Sequence, residues 1–243
     1  MTDKKKPPKI TGPRMVFKFP KLNEPDYGSK DYPKPDGEYS TRGVMTADDA
    51  ATKEFIKQLQ PLYDEALAEA EVAFKELKVE TRKKLGGVKP NDLFTTLYDQ
   101  ETEEPTGEIE FKFAMKASGV RKKGPKAGTK WTMKPDIYDA SGKLLVKAPS
   151  IWGGTVGKIS FEASPYFIPG TGAAGLKLSL LGVQIIDLKS AGQRSAASHG
   201  FGAEDGYTHT ETVEDEDEGG FGDETGGDAS ADAGSASGDQ QEF

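Results

Sequence analysis

The sequence predicts a mainly β domain that carries one long inserted α-helix and ends in a disordered acidic tail. Three observations predict it. From Glu108 onward, apolar residues recur at every second position. Between Phe55 and Leu77 they recur at steps of three and four. After Lys189 the apolar pattern gives way to Gly, Ser, Ala, Asp and Glu. The first period belongs to half-buried strands and the second to an amphipathic helix. The last composition cannot bury enough apolar surface to offset chain entropy.

Taken in order, residues 1–13, with Pro7, Pro8 and Pro13, are expected to form a flexible N-terminus. Residues 14–189 should fold as one domain, and residues 190–243 form the tail. Met15 to Phe19 reads as a short strand, and the Pro-, Gly- and Asp-rich NEPDYGSKDYPKPDG of residues 23–37 reads as loop. Tyr39 to Met45 suggests a second strand. Thr46-Ala-Asp-Asp49 has capping-box spacing, with Asp49 in place of the usual Glu, and opens the helix. Phe55, Leu59, Leu62, Ala66, Ala70, Ala73 and Leu77 then form one stripe, read as core packing. Pro61 either kinks this helix or opens a second one, and Gly86-Gly87 ends it.

Beyond Glu108, Ile109, Phe111, Phe113 and Met115 face inward, while Glu110, Lys112 and Lys116 face out. A Gly/Lys-rich loop leads to a strand in which Trp131, Met133 and Ile137 alternate with Lys130, Thr132, Lys134 and Tyr138. Ser141-Gly142 marks a turn. Val156 to Tyr166 reads as a strand with Ile159, Phe161 and Ala163 inward and Lys158, Ser160 and Tyr166 outward, and Leu176 to Leu188 closes the domain. Short strands with one helical insertion suggest a five-stranded Greek-key barrel, the OB-fold.

Composition narrows the function. The chain of 243 residues has no cysteine, which excludes disulfides and thiolate metal sites and suits a reducing cytoplasm. MTDKKKPPKI lacks the apolar stretch of a signal peptide, and no run reaches the ~18–20 apolar residues of a membrane span. Neither export nor membrane contact is therefore expected. The net charge of −8 conceals an asymmetry: residues 203–243 carry −14 and residues 1–202 carry +6. A basic body with an acidic tail points toward nucleic acid.

Gly170-Thr-Gly172-Ala-Ala-Gly175 spells GxGxxG, but Pro169 precedes it and a strand pattern follows it. A dinucleotide site needs a helix there, so a hairpin loop is expected instead. His199 and His209 lie in the tail, where nothing holds a ring for catalysis or metal binding, and Glu108 and Glu110 read as exposed strand residues. Neither enzymatic activity nor a cofactor is expected.

Residues 112–134 hold eight bases and no acid: Lys112, Lys116, Arg121, Lys122, Lys123, Lys126, Lys130 and Lys134. On two adjacent strands and their joining loop these would form a single patch. Trp131, Tyr138, Trp152 and Tyr166 lie on or beside the same strands. Single-strand binders combine the two, because cations track phosphates while aromatic faces stack bases. Tyr166 is read as a platform from its outward phase beside Lys158. Trp131 shares the phase of Met133, which leaves core and platform both open. The tail ends Gln-Gln-Glu-Phe, and Phe243 with its α-carboxylate suits capture in a partner's pocket.

EPDYG (24–28), PDGEY (35–39), YDEALAEAEVAF (63–74), EFKFAMKAS (110–118), DASGK (139–143), APSIWGG (148–154), SPYF (164–167) and GLKLSLLGVQIIDL (175–188) occur in this order before an acidic tail closing on an aromatic residue. In that order and ending, the chain resembles the single-stranded DNA-binding proteins of T-odd tailed coliphages. The resemblance implies an OB-fold that coats and protects single-stranded DNA during phage replication, recombination and repair, and anneals complementary strands. It implies contact of the tail with phage DNA polymerase and helicase/primase, self-association as a dimer, and residence in the cytoplasm of an infected bacterial host. It makes Tyr166 a DNA contact, with Lys112, Lys116 and Lys158 as basic companions. Pro135, inside an expected strand, departs from the pattern and weakens the roles of Lys134 and Tyr138. The competing reading is an acidic-tailed chaperone for basic proteins, in which the tail is the active surface; DNA binding by a body truncated near residue 202 separates the two.

Overall fold

In the computed structural model, residues 6–190 are described. The chain opens with strand β1 (Lys9–Thr11), which pairs with a later strand and buries Ile10. The ordered body thus begins inside the N-terminal stretch expected to be flexible. Strands β2 (Met15–Gly28) and β3 (Pro33–Thr46) then form one long hairpin, so most of the segment read as loop is strand. Its prolines are tolerated because the β2–β3 register shifts between Lys18 and Gly28, where Pro20 and Pro25 owe no ladder hydrogen bond. Asp26 fastens the turn, accepting from Gly28 N–H at 2.9 Å and from the Lys34 ammonium at 2.8 Å. These bonds, the Lys34 contact foremost, hold the Asp26 carboxyl below its usual range.

Helix α1 (Ala50–Lys75) follows, with Asp49 itself at the N-cap and no side-chain cap bond, so the expected capping box does not form. Pro61 sits inside this continuous helix, which buries Thr52, Phe55, Leu59, Ala66 and Ala70. A short α2 (Val79–Leu85) ends at Gly86, whose φ of 78° is left-handed and favours glycine. Next come β4 (Lys89–Pro90), β5 (Thr95–Tyr98), β6 (Pro105–Lys116), β7 (Ser118–Val120), β8 (Lys130–Thr132) and β9 (Asp136–Tyr138). The single strand expected over residues 130–138 is broken at Met133–Pro135. Its halves pair with different partners, β8 with β7 and β9 with β11. Strands β10 (Val156–Phe167) and β11 (Ala173–Asp187) form the last hairpin, and the GxGxxG segment supplies its turn and the start of β11.

Five of these strands close a ring. β2 pairs with β3, β3 with β6, β6 with β11, β11 with β10, and β10 returns to β2, all antiparallel except β6–β11. This is the closed OB-fold barrel, with the helices inserted between its second and third strands. Inward phase fills it: Phe17, Phe111, Phe113, Phe161 and Ile159 are fully buried. Helix α1 plugs one end through Phe55, whose ring meets Phe111 edge-on at 5.1 Å and Phe161 at 5.9 Å.

Closure leaves no room at Gly157, which pairs with Met15 across the β10–β2 seam. A Cβ there would lie 2.5 Å from the Gln184 carbonyl oxygen and 2.6 Å from the Phe17 ring. Gly157→Ala is expected to destabilise the domain by about 1–3 kcal/mol through overpacking. Urea unfolding checks this as a lowered midpoint with unchanged slope.

Candidate nucleic-acid interface

The outer faces of β3, β6 and β11 meet in an open groove of about 380 Å³. Lys112 and Ala114 project into it from β6, Lys177 from β11, Tyr166 from β10 and Glu38 from β3, while Asp92 and Leu93 form a rim. The parallel pairing of Phe113 with Leu178 places the preceding residues, Lys112 and Lys177, beside each other. Neither lysine makes an ion pair among the described residues. In an OB-fold this is the oligonucleotide-binding face, the second and third barrel strands with the loop between the fourth and fifth.

Tyr166 is half-buried and held in place. It lies opposite Gly175, where a Cβ would come 3.1 Å from its hydroxyl, so glycine lets the ring lie against the strand. Asn91 donates to the Tyr166 hydroxyl at 2.6 Å, and the Tyr63 hydroxyl of α1 donates to the Asn91 carbonyl at 3.0 Å. Burial raises the pKa of the Tyr63 phenol, which keeps it a donor at neutral pH. The groove's aromatic wall is thereby tied to the helix.

The basic run divides. Lys112 lines the groove, whereas Lys116 is bound to Asp36 at 2.6 Å. Arg121, Lys122, Lys123, Lys126 and Lys130 are fully on the surface, around the end of the β7–β8 ribbon. Lys134 is exposed at the ribbon's base, where Met133 N–H bonds to the Ala117 carbonyl. β6 is flanked by β3 and β11 rather than by the strand carrying Lys130 and Lys134, so the run is a barrel-face part and a ribbon part, not one patch. Trp131 is half-buried outside the barrel core: its indole lies over Gly119 on the facing strand, where a Cβ would come 2.7 Å away.

Lys158 shares the outward phase of Tyr166, but eight residues along a strand is about 26 Å. It stands opposite Gln184, outside the groove, and so is not the companion of Tyr166 that its phase implied. Trp152 is 54% exposed and lines a second hollow with Lys21 and Leu22 of β2. Glu110, expected on an exposed face, is buried between the Arg42 guanidinium and the Lys18 ammonium, the latter at 3.3 Å. Phe243 and the tail lie outside the described residues.

Sequence reasoning missed Lys177, although it alternates with Leu176 and Leu178. The sequence also reads as loop the hairpin on which Tyr32 and Tyr27 stand 81% and 62% exposed. Among the described residues no group of three His, Cys, Asp or Glu side chains could hold a metal ion, and no helix is long and apolar enough to cross a membrane.

Comparison with known proteins agrees with this fold. The chain is 26% identical over 202 residues to the single-stranded DNA-binding protein of Enterobacteria phage T3, covering 81% of this chain and 83% of that protein. It shares its fold with the crystal structure of gp2.5, a single-stranded DNA-binding protein encoded by bacteriophage T7. That match has a TM-score of 0.58 at 21% identity and covers 84% of this chain and all of the other. The family model described as single-stranded DNA-binding protein of bacteriophage T7 matches residues 15–188, from the first barrel strand to the end of the last. The chain belongs to this bacteriophage single-stranded DNA-binding protein family, a non-enzymatic one.

Proposed function

We propose that this protein coats and protects single-stranded DNA without sequence specificity during phage DNA replication, recombination and repair, in the cytoplasm of the infected host. The observation that carries this reading is the groove in which Lys112, Lys177 and Tyr166 converge on the outer barrel face. Two ammonium groups side by side suit successive phosphates, and a ring fixed by Asn91 offers its face to a base of any identity. Arg121, Lys122, Lys123, Lys126 and Lys130 add positive charge at the ribbon, and Lys116 joins them once a phosphate competes for it with Asp36.

The tail completes the reading. It carries −14 and is tethered to a body of +6, so its effective concentration near the basic surface is of millimolar order. DNA displaces it, which exposes Phe243 to the phage DNA polymerase and helicase/primase.

Tyr166→Ala should weaken binding to oligo-dT by about 1–3 kcal/mol, the worth of one base–aromatic stack. A fluorescence titration on the folded variant measures it, and unchanged affinity would remove the platform role. Replacing Lys112 and Lys177 together by Ala should flatten the slope of log K against log salt by roughly 0.7 per lost phosphate contact. An unaltered slope would place the phosphates elsewhere. Deleting residues 203–243 should tighten DNA binding most at low salt, where the Debye length exceeds ~10 Å. Removing Phe243 alone should leave DNA affinity unchanged and abolish polymerase capture. Equal affinity of truncated and full-length chains for a short oligonucleotide at about 50 mM salt would exclude the tail as competitor.

A further inference from the structure

A second aromatic feature stands at the other side of the same face. Phe19 of β2 is 68% exposed, and its φ of 51° lies in the left-handed region that a bulky side chain rarely adopts. The Lys18 ammonium sits 5.5 Å from its ring centroid. A large ring held outward at a strained position is unlike the solvated residues around it, and such strain persists only where surrounding structure enforces it. The strand is anchored just before it. Phe17, two residues earlier, is locked by Gly154 N–H to its carbonyl at 2.9 Å and by its own N–H to the Thr155 carbonyl at 2.8 Å.

The same contacts place Trp152 next to this strand. Asn23 grips the loop before it, donating to the Pro149 carbonyl at 2.8 Å and accepting from Ile151 N–H at 3.0 Å. Trp152 and β2 residues Pro20 to Glu24, with the exposed Lys21 among them, enclose an open hollow of about 480 Å³. Trp152 and Lys21, which makes no ion pair among the described residues, thus flank this depression, and Phe19 directly precedes its rim residue Pro20 on β2.

Cross-strand register joins this depression to the groove. Lys18 pairs with Arg42 and Arg42 with Lys112, and Lys112 lies beside Lys177. Four cations therefore run perpendicular to the strands, one from each of β2, β3, β6 and β11, at the ~4.8 Å strand spacing. Glu110, buried beneath Lys18 and Arg42, orients two of them while leaving their side chains 39% and 46% exposed.

We propose that a single strand of DNA bound at Tyr166 continues along this row and ends on a second stacking step formed by Phe19 and Trp152. The inference rests on the single-strand-binding function proposed above and adds a direction and an end to the path. Charge complementarity selects this occupant: the row and Lys21 match a phosphate backbone, and the rings match bases.

The test uses the full-length chain with Phe19→Ala and Trp152→Ala, titrated with oligo-dT of about four and about twelve nucleotides, within the site sizes OB-folds occupy. Each variant should bind the longer strand about tenfold more weakly and the shorter strand as the parent does. If both variants bind both lengths like the parent, the path does not reach this step. If they instead alter sedimentation while DNA affinity is unchanged, the rings meet a second copy of the chain and the inference is wrong. A parent chain that binds neither length would overturn the DNA-binding function itself, an outcome distinct from loss of the path alone.

Discussion

Two residue pairs hold the functional face together. Phe113 with Leu178, and Ala114 with Ser179, are the whole register of the parallel β6–β11 seam. That seam joins the third barrel strand to the last, which lie more than 50 residues apart in the chain. Everything proposed for the groove depends on it, because it alone sets Lys112 beside Lys177. A short parallel seam is weakly bonded by itself. It is kept by the buried rings of Phe113 and Phe161, 5.0 Å apart, beneath it and by the continuous antiparallel ladders on either side.

Electrostatics follow from the same geometry. Placing several cations on one face costs self-repulsion, and the barrel offsets it with a few carboxylates at fixed points. Glu110 sits between Lys18 and Arg42, Asp36 holds Lys116, and Asp26 and Glu38 share Lys34. Hydrogen bonds to Asp26 and then Glu38 raise the Lys34 pKa, so that ion pair persists across the physiological range. The groove's own lysines lack such partners among the described residues. The pairing pattern thus separates cations oriented by carboxylates from the groove's two lysines, which have none beside them among the described residues.

Much of the barrel was legible because its signals are local. Ile109–Met115 and Ile159–Ala163 alternate, and Phe55, Leu59, Ala66 and Ala70 recur at helical steps, so burial followed phase. The β2–β3 hairpin was not legible. Pro25, Pro33, Pro35 and Gly28 read as turn chemistry, and only the shifted register and the Asp26–Lys34 contact show how a strand accommodates them. The basic run of residues 112–134 was visible as composition, but its division between barrel face and ribbon depends on β6 pairing with β11, which no local pattern encodes. The same reason hid Lys177, a single lysine in an apolar strand. Phase also misled at Lys158: alternation assigns a face but not a distance. Glu110 shows the converse limit, since an outward-facing carboxylate becomes buried once Arg42 and Lys18 from the neighbouring strands close over it.

The β7–β8 ribbon is attached to the barrel differently from every other strand pair. Three residue pairs hold it, and at its base the Met133–Ala117 hydrogen bond ties it to the end of β6. An isolated two-stranded ribbon of this size is marginally stable, so this one depends on its root, where the Ser118 hydroxyl also donates to the Asp36 carbonyl at 2.8 Å. If the groove holds DNA as proposed, cations at the tip would act on the rate of encounter more than on the lifetime of the complex, by widening the capture radius for a polyanion. Arrival and retention would then fall to different parts of one continuous stretch of basic sequence.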